Sequence, residues 1–224
     1  MTVLAALKNN HEFSPDCQQC PRLVAFLHEV KQTYPDYYAR PVPPFGDTDA
    51  DLLIVGLAPG MHGANASGRP FTGDFAGLML YEMLYEFGYS NQPTAVAIND
   101  GLVLTQCRIT NAVKCLPPAN KPLTAEVRQC NAYLQAELAA LPIPSIILSL
   151  GAIAHSAVLT AKGYPLRSAP FKHNAQYRLP DGTYLVASYH TSRYNVQTKK
   201  LTQQQFRAVF QTIAELRAQF SSAQ

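Results

Sequence analysis

No part of this sequence stays apolar for the roughly 18 residues that a bilayer-spanning helix needs, so a membrane span is not expected. The opening MTVLAALKNNHEF holds a short apolar patch. It has no basic segment before that patch and no small-residue cleavage site after it, so a signal peptide is not expected and a cytoplasmic location is. Internal repeats, blocks of like charge and low-complexity stretches are absent, which excludes solenoids and charged tails. Charge itself is scarce, at 15% of residues with a net +3, a balance that permits nucleic acid as a partner without demanding it. Five cysteines are too few and odd in number for a disulfide framework in a reducing compartment. No Gly-Lys-Ser/Thr follows the glycine-rich stretch, which excludes a P-loop.

What remains is a chain of 224 residues with 47% hydrophobic content, enough to build one sizeable core. A single domain over 1–224 is expected, with an N-terminal arm and helix at 17–40 and a closing helix at 202–218. Leu23, Phe26, Leu27 and Val30 recur at helical spacing after Pro21. Pro35 to Asp49 reads as loop, and Asp51 to Val55 as a short strand ending at Gly56. Phe75, Leu78, Met79, Met83 and Phe87 mark one face of a helix that Asp74 caps. Leu102 to Val113 reads as strand, and Thr124 to Leu141 as a helix burying Val127, Cys130, Leu134, Leu138 and Leu141. Ser145 to Leu150 is a buried strand, Ala152 to Ala161 a helix, and Tyr177 to Ser188 a hairpin turning at Asp181-Gly182. Phe206, Val209, Phe210 and Ile213 give the last helix its apolar stripe. This alternation predicts an α/β fold, a three-layer α/β/α sandwich around a mostly parallel sheet. In such folds the loops beyond the carboxyl ends of the strands line the ligand crevice, here 56–74, 111–120 and 188–195.

The cysteines fall into two pairs and a singleton. Cys17 and Cys20 form C-x-x-C, and Cys115 and Cys130 have fourteen residues between them. Cys107, inside an apolar run, reads as a buried small hydrophobe. Four thiolates can hold zinc or an iron-sulfur cluster; the wide second interval favours a cluster, which would clip the N-terminal arm to the body.

GLAPG from Gly56, HGANASGRPFTGD up to Asp74, TNAVKC from Thr110 and SYHTSRYN from Ser188 occur in this order together with the four cysteines. The set closely resembles family five of the uracil-DNA glycosylase superfamily, the iron-sulfur kind called type b, over about residues 17–195. The resemblance implies catalytic roles for Asp74, His190 and Asn111. It implies a base-stacking role for Phe71, a substrate pocket including Gly56, Ala58 and Gly60, and a [4Fe-4S] cluster on Cys17, Cys20, Cys115 and Cys130. Departures from the family's usual pattern stand at Gly60, Ala66 and Thr191. With Ala58 and Gly60 where the superfamily's strict uracil specialists carry an acid and a tyrosine, it implies a wider choice of deaminated or modified bases.

The chemistry asks for the same residue types. Breaking an N-glycosidic bond puts positive charge on the sugar and negative charge on the departing base, so a site needs a carboxylate and a donor on opposite sides. Asn111 can donate and accept at once, as the pairing edge of uracil requires. Ser192, Arg193 and Tyr194 offer a phosphate donor, a cation and an apolar plane for DNA. Arg69, Lys114, Lys121, Arg167, Lys172, Lys199 and Lys200 are further candidates for phosphate contact. The expected function is a monofunctional, monomeric DNA repair glycosylase acting on uracil-containing DNA without membrane association. The alternatives are the sister iron-sulfur family, type a, and a non-catalytic metal-clipped nucleic-acid-binding module.

Overall fold

The computed structural model describes residues 13–221. The leader reading concerns residues 1–13, of which 1–12 lie outside that range. Helix α1 runs Pro21–Thr33, with Pro at its first turn where a missing N–H costs nothing. The sheet is built from β1 (Phe45–Gly46), β2 (Leu52–Gly56), β3 (Cys107–Asn111), β4 (Ile146–Leu150), β5 (Gln176–Arg178) and β6 (Tyr184–Ser188). Their order is β1-β3-β2-β4-β6-β5. The four central strands are parallel, and the edge strands β1 and β5 are antiparallel to their neighbours.

Central strands alternate between two apolar faces because successive side chains point opposite ways. Leu52, Ile54, Leu148 and Val186 meet α3 (Phe75–Glu86) and α7 (Gln203–Ser221) on one face. Leu53, Val55, Ile147 and Leu185 meet α4 (Thr124–Ala139) and α5 (Ala152–Ala161) on the other. Two cores flanking one sheet make the expected three layers, and burying each such Leu, Ile or Val contributes about 1.5–3 kcal/mol. A third cluster joins α1, through Leu23, Leu27 and Val30, to Val113, Leu116 and Tyr133. Arg22 adds a polar tie, its guanidinium donating to Glu126 at 2.6 and 2.8 Å. No helix among the described residues is long and apolar enough to cross a membrane.

Three details differ from the sequence reading, the first being that the stretch 35–49 read as loop supplies the short edge strand β1. The strand expected over 102–113 is confined to Cys107–Asn111, because Gln106 takes a left-handed φ of 53° and breaks the extended run. The buried face of α3 is Gly77, Leu80, Tyr81, Met83 and Leu84, and Leu78 is exposed. Gly77 sets that rotation: a Cβ there would lie 1.9 Å from the carbonyl oxygen of Phe71, so only a residue without a side chain can face inward beneath the glycine-rich loop.

Candidate active site

The parallel strands β2, β3 and β6 end together, and their following loops close on one cavity of about 350 Å³. Its lining brings together Ala58, Gly60, Phe71, Asp74, Asn111, His190, Ser192 and Arg193, so four separate sequence motifs converge on one site.

Asp74 is both cap and pocket residue. Its Oδ1 accepts from the Gly77 backbone N–H at 2.9 Å, fixing the first turn of α3. Its other oxygen faces the turn of Gly60 and Gly63, where a Cβ on Gly63 would come within 2.5 Å of Oδ2. Burial raises the Asp74 pKa, and the Gly77 and Ala76 N–H groups oppose that rise.

Phe71 holds a left-handed φ of 53° and turns its ring into the cavity, 5.9 Å from the ring of His190. Gly56 makes room for this arrangement. A Cβ there would lie 2.4 Å from Asn111 Oδ1 and 2.8 Å from the Phe71 ring, so no other residue lets the two approach. Asn111 ends β3 with its Oδ1 buried and unpartnered among the described residues. A buried amide oxygen left open is costly unless something in the cavity pairs with it.

His190 follows β6, and its backbone is held on both sides. Asn195 Nδ2 donates to the His190 carbonyl at 2.8 Å, and Thr191 Oγ1 donates to the Ala76 carbonyl at 2.9 Å. Burial lowers the imidazole pKa to about 4, so the ring is neutral near pH 7. Ser192 caps the short helix α6 (Arg193–Gln197) by accepting from Asn195 N at 3.4 Å. The Arg193 guanidinium sits 5.2 Å over the Phe75 ring, and Tyr194, 73% exposed, projects beside the cavity rather than into it.

Two cations expected at a phosphate surface are buried instead. Arg69, 2% exposed, donates to Asp100 at 2.7 and 2.9 Å and to Thr72 Oγ1 at 2.8 Å, which pins the glycine-rich loop to the 95–102 turn. Lys114, 1% exposed, pairs with Glu137 at 2.7 Å and with the Thr110 hydroxyl. Lys121, Arg167, Lys172, Lys199 and Lys200 are exposed, as expected. The cavity also takes in Leu57, Ala64, Phe75, Ala76 and Asn120, which the sequence reading did not place there. Asn120 closes the loop after β3 that the topology rule had marked.

Cys17, Cys20, Cys115 and Cys130 line a second, small pocket between α1 and α4, and all are free thiols. The backbone N–H of Lys114 donates to Cys130 Sγ at 3.3 Å. Burial raises the pKa of the Cys115 and Cys130 thiols. Among the described residues no three His, Cys, Asp or Glu side chains converge as a ready single-ion site. Cys107 is fully buried, as a small hydrophobe is.

A family model described as Uracil DNA glycosylase superfamily matches residues 43–214. A protein of Thermus thermophilus named Type-5 uracil-DNA glycosylase is 47% identical over 85% of this chain and 89% of its own. A namesake from Pyrobaculum aerophilum is 42% identical over 84% of this chain and 83% of its own. Another from Mycobacterium leprae is 39% identical over 89% and 91%.

Proposed function

Because the chain belongs to the uracil-DNA glycosylase superfamily, we propose that its cavity receives a uracil nucleotide swung out of DNA, and that Asp74, Asn111 and His190 hydrolyse the N-glycosidic bond. The product is an abasic site. No lysine lines the cavity among the described residues, consistent with a monofunctional glycosylase that forms no Schiff base.

One observation carries the reading: a carboxylate with one committed and one open oxygen shares a cavity with a neutral imidazole. Asp74 Oδ2 orients the attacking water and offsets the positive charge that grows on the sugar. The His190 N–H donates to the base oxygen as negative charge gathers there, since the neutral ring keeps one N–H as a donor. Asn111 Oδ1 accepts from the uracil N3–H while its amide donates to the neighbouring carbonyl; cytosine presents the opposite polarity at that edge. Phe71 stacks on the base, and Gly56, Ala58 and Gly60 shape the space around it. With no bulk at Ala58 or Gly60, C5-substituted uracils and other deaminated bases enter as well.

Outside the cavity, Ser192, Arg193 and Tyr194 meet the DNA, with Tyr194 filling the gap left by the extruded nucleotide and Lys121, Lys172, Lys199 and Lys200 reaching phosphates. Nothing in this scheme needs a second copy of the chain, so a monomer in the cytoplasm suffices. Cys17, Cys20, Cys115 and Cys130 hold a [4Fe-4S] cluster. The fit rests on four free thiols lining one pocket with a backbone N–H already aimed at one sulfur. When bound, the cluster supplies a cross-link between the N-terminal arm and the body.

The deciding assay incubates the protein with a uracil-containing oligonucleotide and treats the product with alkali. Strand breaks that vanish in Asp74→Ala and His190→Ala support the assignment, and equal cleavage by all three proteins ends it. Iron and sulfide analysis of freshly prepared protein tests the cofactor separately, since zinc would refute the cluster without touching the glycosylase.

A further inference from the structure

The loop after β3 reaches the cavity through an unusual backbone. Ala119 (φ 52°) and Asn120 (φ 56°) are consecutive non-glycine residues in the left-handed region, and both are exposed. Such conformations persist only where surrounding contacts fix them, and they gather at functional sites. Here Asn120 N donates to the Pro117 carbonyl and Lys121 N to the Pro118 carbonyl, each at 3.1 Å, between Pro117 and Pro122. The turn brings Asn120 to the cavity, where it is a lining residue along with Asn111 and Ala58.

Its position across the sheet says what it meets. Strands β3 and β6 are separated by β2 and β4. Their loops therefore stand about three strand spacings, roughly 14 Å, apart at the two ends of the cavity. Ser192 and Arg193 occupy the β6 end and Asn120 the β3 end. An extruded nucleotide is tethered by two phosphodiesters that stay at the mouth while its base goes inward. A neutral amide that donates to a phosphate oxygen, without repelling it, suits the end that lacks a pocket-lining cation.

We propose that Asn120 grips one of the two phosphodiesters flanking the extruded nucleotide, opposite Ser192 and Arg193, and so holds the nucleotide in the cavity from the β3 side. This rests on the glycosylase reading. It makes Asn120 a binding residue and leaves the chemical step to Asp74, Asn111 and His190.

The test compares the unaltered protein with Asn120→Gly and Asn120→Asp in single-turnover release of uracil from a duplex oligonucleotide. Glycine accepts the left-handed backbone, so Asn120→Gly removes the amide while leaving the turn relaxed. Thermal melting of both variants should match the parent. Asn120→Gly should need about ten times more enzyme for half-saturation with an unchanged maximal rate, and Asn120→Asp more still, because its carboxylate faces a phosphate. Replacing one flanking phosphate by a methylphosphonate should erase the difference between parent and Asn120→Gly. Half-saturation of Asn120→Gly equal to that of the parent overturns the proposal, as does a loss confined to the maximal rate, or a difference that survives methylphosphonate placed in turn at each of the two flanking positions. Should the parent release no uracil at all, the glycosylase reading falls; the same comparison made by direct binding to the uracil duplex then decides for or against Asn120 alone.

Discussion

The ring of Phe71 lies 5.9 Å from that of His190 and is tilted 31° to it. Two van der Waals contacts need about 7 Å between flanking planes, so a pyrimidine cannot slide between these rings. In the proposed complex the base therefore stacks on Phe71 outside this pair and turns an edge toward His190. That edge-on approach is what a hydrogen-bond donor to a carbonyl oxygen needs, and it leaves the opposite side of the nucleotide, where the sugar lies, for Asp74.

One Asp74 oxygen caps α3 and the proposed function gives chemistry to the other, so substitutions should separate the two roles. Asparagine caps helices as well as aspartate, so Asp74→Asn should melt like the parent, whereas Asp74→Ala should lose about 1 kcal/mol of stability. Both should lose uracil release by about a hundred-fold or more, because neither retains the carboxylate that faces the sugar. Urea unfolding paired with single-turnover kinetics checks both halves.

The pH profile follows from two shifts of opposite sign. Burial raises the Asp74 pKa, and in the proposed mechanism the carboxylate is the form that acts. Activity should therefore fall on the acid side at a pH above the ordinary aspartate value of about 3.9. His190 titrates at about 4 in the folded protein, so no loss from its protonation should appear until near that pH. For stability the two groups act in opposite directions. The depressed His190 pKa contributes stability that is present above its unfolded value of about 6.5 and is lost as pH falls toward 4. Asp74 contributes stability below its unfolded pKa that is lost as pH rises through its raised folded value. Rate and melting profiles over pH 3.5–8, with His190→Gln as the comparison, separate the groups: the variant should lack the stability loss between about 6.5 and 4.

The central strands and the motif order were legible because their physics is local. LLIV is a continuous apolar run and IILSL one broken only by Ser149, as strands buried on both faces are. The loops that carry Gly56, Asn111 and His190 follow such strands directly. The face of α3 was not legible, since Gly77 turns inward only because Phe71's carbonyl lies above it, a contact no periodicity contains. Arg69 and Lys114 looked like surface cations because their partners, Asp100 and Glu137, lie 31 and 23 residues further along the chain. Asn120 was hidden for a related reason: its left-handed turn carries no glycine to announce it.

The Arg69–Asp100 pair is buried enough that breaking it should cost more than a surface ion pair does. Asp100 also accepts from the Val96, Ala97 and Leu102 N–H groups, and with Arg69 these hold its carboxyl well below the usual carboxylate range. Asp100→Ala should destabilise by about 3–5 kcal/mol, because it leaves the guanidinium buried without a counter-charge. Adding Arg69→Met should restore a substantial part of that loss. Urea denaturation of the single and double variants measures the coupling, and equal stability of the two would show that the pair does not lock the loop.

Gly60 lines the cavity beside Asp74, and the proposed function makes its missing side chain a determinant of which bases enter. A Cβ on Gly60 would stand 3.4 Å from Asp74 Oδ2, so even alanine touches the carboxylate there, and a ring would fill the space beside it. The parent should release uracil and C5-substituted uracils at rates within about ten-fold of one another, since one added methyl-sized group in an open pocket changes discrimination by only about 1–3 kcal/mol. Gly60→Tyr should cut release of the substituted bases far more than release of uracil. Competition between uracil and 5-hydroxymethyluracil in otherwise identical duplexes reads the ratio directly. A parent that already rejects every base but uracil would place the barrier elsewhere in the cavity wall, with Leu57 and Ala64 the next lining residues to replace.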